Sequence, residues 1–425
     1  MRDPGRLRHR RPQAGIGADR LLRDGEGCGE RDRKTGQRAF RPEPAGNHPR
    51  ARPAPAHLQA DGRLRSFRPI RPGSSLGADR QSRPARLGGR RSAPEGGGVA
   101  ERLTSRRRVV LVTGVDGFAG SHLCELLLQE HHLVHGTTRH ARPSPQAELP
   151  ASVRCHHVDL LQRASVDALV KRLRPDWVFH LAALSSVADS WADPAATLIN
   201  NVGAQANLLA AVARLVKQPR VLVVGSTDEY GQPSGRARAL DEDTPLRPVT
   251  PYGVSKVAQD FLAFQYYLSL KLPVVRVRAF NHTGPRQSSH FAIPSFARQL
   301  ALIELGRQRP ALRVGNLDVR RDFTDVRDMV RAYRLAIEKG RPGAVYNLGS
   351  GRAVSLRRIL ASLMGMSRRP VPVRVDRALI RTVDPRTYIC DAGRFRRATG
   401  WRPQIPLGDT LRDTLEYWRR VEAAS

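Results

Sequence analysis

Cysteine is scarce in this 425-residue chain: Cys28, Cys124, Cys155 and Cys390 are far apart and form no CxxC pair. That excludes a disulfide framework and a cysteine zinc site, and it suits a reducing cytoplasm, the expected location. No metal is expected. Aromatic residues make up 5% of the chain, and no RNA-binding signature with stacking aromatics is visible. Lysine is nearly missing: 6 of the 72 basic residues are Lys and 66 are Arg. Such a bias looks as much like GC-rich coding as like selection for a partner. The net charge of +33 therefore does not carry a nucleic-acid function, and no nucleic-acid partner is expected. No apolar run approaches ~18 residues, so no membrane span is expected. The N-terminus also lacks the apolar core of a secretory signal.

The length is enough for one large domain or two ordinary ones. Residues 1–105 differ from the rest. They are rich in Arg, Pro and Gly, with 24 basic and 11 acidic residues, a net of +13. No sustained helical or strand periodicity runs through them, so a disordered extension is expected. A second reading is that translation starts near Val99 or Leu103 at an alternative codon, because the methionine after Met1 is Met329. Peptides from residues 1–90 in the native protein would exclude it. A nucleic-acid-binding arm ranks last.

From Arg106 the pattern changes. "RRRVVLVTG" leads into a β-branched strand, and "FAGSHLCELLLQEHH" has helical spacing. Further strands are read at "HLVHGTT", "VRCHHVDL", "DWVFHLAA", "PRVLVVGS" and "PVVRVRAFN", with helices between them, one spanning about Pro251 to Leu270. This alternation predicts an α/β fold, a doubly wound parallel sheet of the Rossmann type. Ligands bind such sheets beyond the carboxyl ends of the strands. The division expected is 106–280 for the dinucleotide-binding domain and 281–425 mainly for a smaller α/β substrate region, interleaved with it.

Gly114, Gly117 and Gly120 stand at GxxGxxG spacing between a strand and a helix. Gly114 permits a tight turn, Gly117 lets backbone approach a pyrophosphate, and Gly120 allows close helix–strand packing. Phe118 opens the helix. The second strand ends in "GTTRH", where Thr138 and Arg139 replace the acid that would accept a ribose 2′-hydroxyl. A guanidinium there suits a 2′-phosphate. NADP(H) is therefore the expected cofactor, with NAD(H) as the alternative. Asp159 either accepts from the adenine amino group or caps the next helix. Leu160 lies beside it, and Ala182 and Ala183 let backbone approach the cofactor.

Tyr252 and Lys256 are four apart and share a helix face. A nearby ammonium is expected to lower the tyrosine pKa, tuning it for proton transfer, and Lys256 also reaches for the nicotinamide ribose. "VVGSTDEYG", from Val223 to Gly231, ends a strand upstream and brings two hydroxyls and two carboxylates.

Glycine turn, hydroxyl-rich strand end and YxxxK together resemble the extended short-chain dehydrogenase/reductase family, over about residues 107–420. The resemblance implies a Rossmann domain with a smaller substrate domain. It also implies a catalytic hydroxyl four residues before Tyr230, which is Ser226, with Thr227 in reserve. "RAFNHTGPRQS" resembles a segment of the nucleotide-sugar-modifying members, which implies that Asn281 contacts the sugar or diphosphate. "VGNLDVRRDFTDVRDMVRAY" implies a diphosphate-binding Arg321. "IRTVDP" implies a second such arginine, Arg381, with Thr382 and Asp384 departing from the family pattern. Asp325 and Asp328 are read as capping or positioning local structure. "GSTDEYG", "RAFNHTGPRQS" and "VGNLDVRRDFTDVRD" are most similar to the reductases of GDP-4-keto-6-deoxy sugars, next to the GDP-mannose 4,6-dehydratases. The implied substrate is a GDP-sugar and the implied assembly a homodimer. In a dehydratase, Asp228 would stand where the extra base sits. Glu229 is expected to point to the opposite face of an extended strand. A 4-epimerase of a nucleotide sugar is a further alternative. A non-catalytic NADP- or RNA-binding member is the rival of a different class.

Overall fold

The computed structural model describes residues 107–141, 148–232, 239–380 and 387–425. The expectations for residues 1–105 and for Arg381, Thr382 and Asp384 lie outside the described residues.

The first half of the chain runs β1 (Val109–Thr113), α1 (Phe118–Gln129), β2 (Leu133–Thr138), β3 (Arg154–His157), α2 (Arg163–Leu173) and β4 (Trp177–His180). Two consecutive helices follow, α3 (Val187–Ala192) and α4 (Pro194–Ala213), then β5 (Arg220–Ser226), a 3₁₀ turn (Thr227–Glu229), α5 (Pro251–Leu270) and β6 (Val274–Ala279). The doubly wound parallel sheet expected from the sequence is present. Its inner strands β1, β5 and β6 are rich in apolar, β-branched residues because both faces are covered: Val110–Val112, Val221–Val223 and Val274–Val275 are all at most 1% exposed.

The rest of the chain both completes this sheet and builds a second core. It runs β7 (His282–Thr283), α6 (Ala292–Glu304), β8 (Leu312–Val314), β9 (Arg320–Asp322), β10 (Thr324–Asp325), α7 (Val326–Lys339) and β11 (Val345–Leu348). It ends in β12 (Ala353–Ser355), α8 (Leu356–Gly365), β13 (Val373–Val375), α9 (Gly393–Thr399) and α10 (Leu407–Ala424). The main sheet has the order β11-β6-β5-β4-β1-β2-β3, so β11 returns from beyond residue 281 to extend it. Every strand pair in it is parallel.

Helices α1 and α7 pack one face of the sheet, and α2, α4 and α5 pack the other. A separate apolar cluster joins α6, α8 and α10 around β8. Strand order reverses between β1 and β4, and this opens the crevice in which such sheets bind ligands.

Local chemistry sets where the helices begin. Asp193 caps α4 by accepting from the Ala196 amide, with Pro194 at its first position. Thr250 caps α5 through the Gly253 amide at 2.9 Å, followed by Pro251. A side-chain oxygen at the cap satisfies an orphan amide, and proline gives up none at the first turn. Asp325 caps α7 through the Arg327 amide, and buried Asp328 accepts the Gln404 and Ile405 amides at 2.8 Å each. No described helix is long and apolar enough to cross a membrane.

Candidate active site

A cavity of about 520 Å³ lies at the carboxyl edge of the sheet and runs from the glycine turn to Tyr252. Its floor depends on two glycines. Gly114 has φ +71°, and a Cβ on it would stand 3.0 Å from the Ala182 Cα. A Cβ on Gly120 would stand 2.2 Å from the Gly114 carbonyl oxygen. Helix α1 thus seats directly on the turn, with Gly117 as its N-cap. The amides of a helix N-terminus so exposed favour an anion. Thr113 ties the neighbouring strand in, its hydroxyl accepting from the Leu181 and Ala182 amides at 3.2 Å.

Gly114, Gly117, Phe118, Gly120, Arg139, Asp159, Leu160, Ala182 and Ala183 all line this cavity. Thr137 lines it where Thr138 was expected. Thr138 is buried and donates to the His140 carbonyl at 2.8 Å. Side chains alternate along a strand, which turns the two threonines to opposite faces. Arg139 is exposed and donates from Nη2 to Asn200 Oδ1, so α4 holds the guanidinium at the rim. Asp159 does not cap the next helix, whose N-cap is Gln162. Its Oδ1 accepts the Leu161 amide in the turn before.

The far end of the cavity carries Ser226, Thr227, Asp228, Tyr252, Lys256, Asn281 and Arg321. Ser226 ends β5 and is the N-cap of the 3₁₀ turn: its Oγ accepts the Asp228 amide and donates to Asp228 Oδ2, both at 3.1 Å. Thr227 is buried, and its hydroxyl donates to the Ala279 carbonyl at 3.1 Å. Tyr252 is close enough to Ser226 for the Ser226 hydroxyl to favour its ionised form. Lys256 Nζ donates to the Val224 carbonyl at 2.9 Å and lies 5.9 Å from the centre of the Tyr252 ring. The guanidinium of Arg321 sits 4.9 Å from the Tyr388 ring centre, a cation–π contact at the cavity wall.

Two expectations are corrected here. Glu229 does not lie on an extended strand. The chain turns after Ser226, and Glu229 is swung beneath β5, where its carboxylate is 0% exposed. And the Tyr252 hydroxyl is pushed up, not down. Burial is the main cause, the Asp228 carboxylate adds to it, and the Ser226 hydroxyl opposes it. Lys256 is itself pushed down to about 8 by burial, with Glu229 opposing.

Sequence reasoning missed further lining residues. One is His282, which stacks on the expected Phe118 with ring centres 5.7 Å apart and is oriented by Nδ1 at 3.1 Å from the Phe280 carbonyl. Asn200, Gln287, Phe291 and Tyr388 also face the cavity. The spacing of "NNVG" on α4 was the signal available for Asn200. Tyr388 belongs to no recognisable local pattern. Among the described residues no group of three His, Cys, Asp or Glu side chains is placed to hold a metal ion.

A Rossmann sheet with a glycine turn and a Ser-Tyr-Lys cluster at one cavity defines the class: an extended short-chain dehydrogenase/reductase fold. Residues 111–414 match the family model described as GDP-mannose 4,6 dehydratase. The chain belongs to that family of NAD(P)-dependent nucleotide-sugar enzymes. It is 35% identical over 309 residues to the GDP-6-deoxy-D-mannose reductase of Pseudomonas aeruginosa, covering 73% of this chain and 96% of that one. It is 26% identical over 353 residues to the GDP-mannose 4,6-dehydratase of Sinorhizobium fredii, covering 74% and 98%. Among solved structures, Pseudomonas aeruginosa RMD complexed with NADPH superposes with a TM-score of 0.65 at 33% identity, over 74% of this chain and 100% of that one.

Proposed function

We propose that this enzyme reduces the C4 ketone of a GDP-4-keto-6-deoxy sugar with NADPH, forming GDP-D-rhamnose. The observation that carries the reading is the meeting of Ser226, Tyr252 and Lys256 at the far end of the cavity that begins at the glycine turn. The 35% identity to a GDP-6-deoxy-D-mannose reductase supports the substrate class.

The residues present fit the cofactor. The Gly114–Gly120 packing leaves a cradle against the α1 N-terminus, and Arg139 stands at the rim for a 2′-phosphate. Lys256 would hold the nicotinamide ribose, and Asp159 the adenine amino group. When bound, NADPH supplies a hydride. Tyr252, kept protonated by burial, donates its proton to the oxygen at C4. The Ser226 hydroxyl hydrogen-bonds that oxygen as charge develops on it. Asn281 and Arg321 would hold the sugar diphosphate, Arg321 through a guanidinium fork.

A reductase needs no base for a carbon acid. A dehydratase does, to remove the C5 proton before the C6 hydroxyl leaves. Asp228 is one methylene shorter than Glu, and a misplacement of ~1 Å costs about 10²-fold. It is also engaged by the Ser226 hydroxyl. Glu229 is withdrawn into the core. The dehydratase is the second reading, favoured by the family model's description and by relatives such as the Sinorhizobium fredii enzyme. A homodimer in the cytoplasm is part of the proposal.

One assay separates the two. Purified enzyme should oxidise NADPH on addition of GDP-4-keto-6-deoxymannose and leave GDP-mannose alone unchanged. Turnover of GDP-mannose with no net change in cofactor would replace this reading with the dehydratase.

Two further outcomes are expected. Arg139→Ala should weaken NADPH by about 10-fold or more, the scale of a charge-assisted hydrogen bond, and leave NADH affinity unchanged. Equal losses for both, read by fluorescence titration, would remove the 2′-phosphate role. Second, kcat/KM should fall as pH rises through about 8, where Lys256 in the free enzyme loses its proton. The alkaline limb should be missing from the residual activity of Lys256→Met.

A further inference from the structure

Beneath the cavity lies a buried ionic cluster that the proposed chemistry does not use. Glu229 Oε1 accepts the Ser226 amide at 2.8 Å, and Oε2 accepts from Arg278 Nε at 3.0 Å. Arg278, on β6, also binds Asp260 of α5 at 2.7 Å. Asp260 in turn binds Arg276 at 2.5 Å. The cluster pairs two carboxylates with two guanidiniums, and all four residues are less than 9% exposed.

The niche is built for this carboxylate. A Cβ on Gly225 would stand 2.1 Å from Glu229 Oε1, so the carboxylate occupies space that any other residue at 225 would fill. Arg278 is the cross-strand partner of Gly225 in the β5–β6 register. Both carboxylate oxygens accept from N–H donors, which is the pattern of the ionised form. Burial and Asp260 push the Glu229 carboxyl up, and Arg278 opposes them.

We propose that Glu229 is a positioning residue for the reaction, its carboxylate clamped by Arg278 in the Gly225 niche so that it fixes the backbone carrying the Ser226 hydroxyl. This rests on the Ser226 and Lys256 roles proposed above. Glu229 also bears on Lys256. Lys256 is anchored on the Val224 carbonyl, two residues before Ser226, and the Glu229 charge favours its ammonium form. The groups facing Lys256 and Glu229 are Tyr252 and Asp260 on α5, His180 on β4, Arg278 on β6, and Asp228 and Tyr230 on the turn. Of these, Arg278 is the cation that both Glu229 and Asp260 share.

Glu229→Gln tests this, because a glutamine presents an N–H to a site where both partners already donate. The kinetic arm is a double-mutant cycle with Ser226→Ala. Glu229→Gln alone should lower kcat by roughly 10- to 100-fold with little change in KM, the cost of a misplaced catalytic group. Measured near pH 6, where Lys256 keeps its proton in either background, adding it to Ser226→Ala should cost almost nothing more, because there is no hydroxyl left to position. Losses that multiply would mean a general structural role and would overturn the proposal.

The second arm uses no sugar. The NADPH dissociation constant, read by fluorescence against pH, should begin to rise near pH 8 in the wild type. In Glu229→Gln the rise should begin about one pH unit lower, the scale of one removed opposite charge. An unshifted profile overturns the proposal, whatever the sugar substrate is. If the wild type is inert towards the keto sugar, the reductase reading fails and this arm still decides. Gly225→Ala repeats both arms with Glu229 unchanged, should Glu229→Gln not fold. Its methyl expels the carboxylate, and it should give the same two results.

Discussion

Replacing Tyr252 by Phe should lower turnover of the keto sugar by roughly 10²- to 10⁴-fold, the range of a lost general acid. The phenol is 8% exposed, and burial holds its proton well beyond neutral pH. It is therefore a proton donor at working pH, as a ketone reduction requires. Phe keeps the ring in place on α5 and removes the donor alone. NADPH affinity should change by no more than about twofold, since the phenol is assigned to the substrate oxygen and Lys256 to the nicotinamide ribose. Steady-state NADPH oxidation and fluorescence titration on the same preparation read the two quantities. A fully active Tyr252→Phe would show that another group supplies the proton, and the Ser226–Tyr252–Lys256 assignment would fall with it.

Arg278→Met should destabilise the fold by about 3–5 kcal/mol, the scale of removing one partner from a buried ion pair. Arg278 is 5% exposed and serves Glu229, Asp260 and the Tyr230 hydroxyl at once. Met fills most of the volume but leaves Asp260 with Arg276 alone and Glu229 with no guanidinium. The midpoint of urea unfolding should fall with little change in slope.

The pH dependence has a definite sign. Without Arg278 the Glu229 carboxyl is pushed still further above its unfolded value. A carboxyl raised in the folded state is tolerated while protonated, so the deficit against wild type should be small near pH 4 and grow towards pH 7. A deficit that is the same at both ends would mean that packing, not charge, is what Arg278 provides.

The sequence was legible where its rules are local. Helix α5 begins and ends at Pro251 and Leu270, as read, because Thr250-Pro251 is a strong start signal. The glycine spacing implied a seat for α1, and a Cβ on Gly120 would indeed meet the Gly114 carbonyl. Tyr252 and Lys256 share a face because four residues are one helical turn. By contrast, β11 was not read as part of the main sheet. "VYNL" is too short to show which strand it will pair, and its partner β6 lies some seventy residues earlier, a distance visible in the register Val345↔Arg276. Thr138 is expected at the cavity, and Thr137 lines it. In a period of two, a single step changes the face.

The two levels separate at "VVGSTDEYG", over which of its polar groups carry chemistry. The sequence by itself determined the class of fold, the dinucleotide turn and the Tyr–Lys pair, since each depends on spacing within a few residues. The sequence already turned Glu229 away from Asp228, but tertiary structure alone decided what holds each acid. Asp228 stays at the cavity beside Ser226, while Glu229 turns under β5 to meet Arg278, 49 positions away in sequence. Adjacent carboxylates are chemically alike. What makes one a candidate for contact with substrate and the other a buried brace is the niche left by Gly225 and the arginine that the β5–β6 register brings to it.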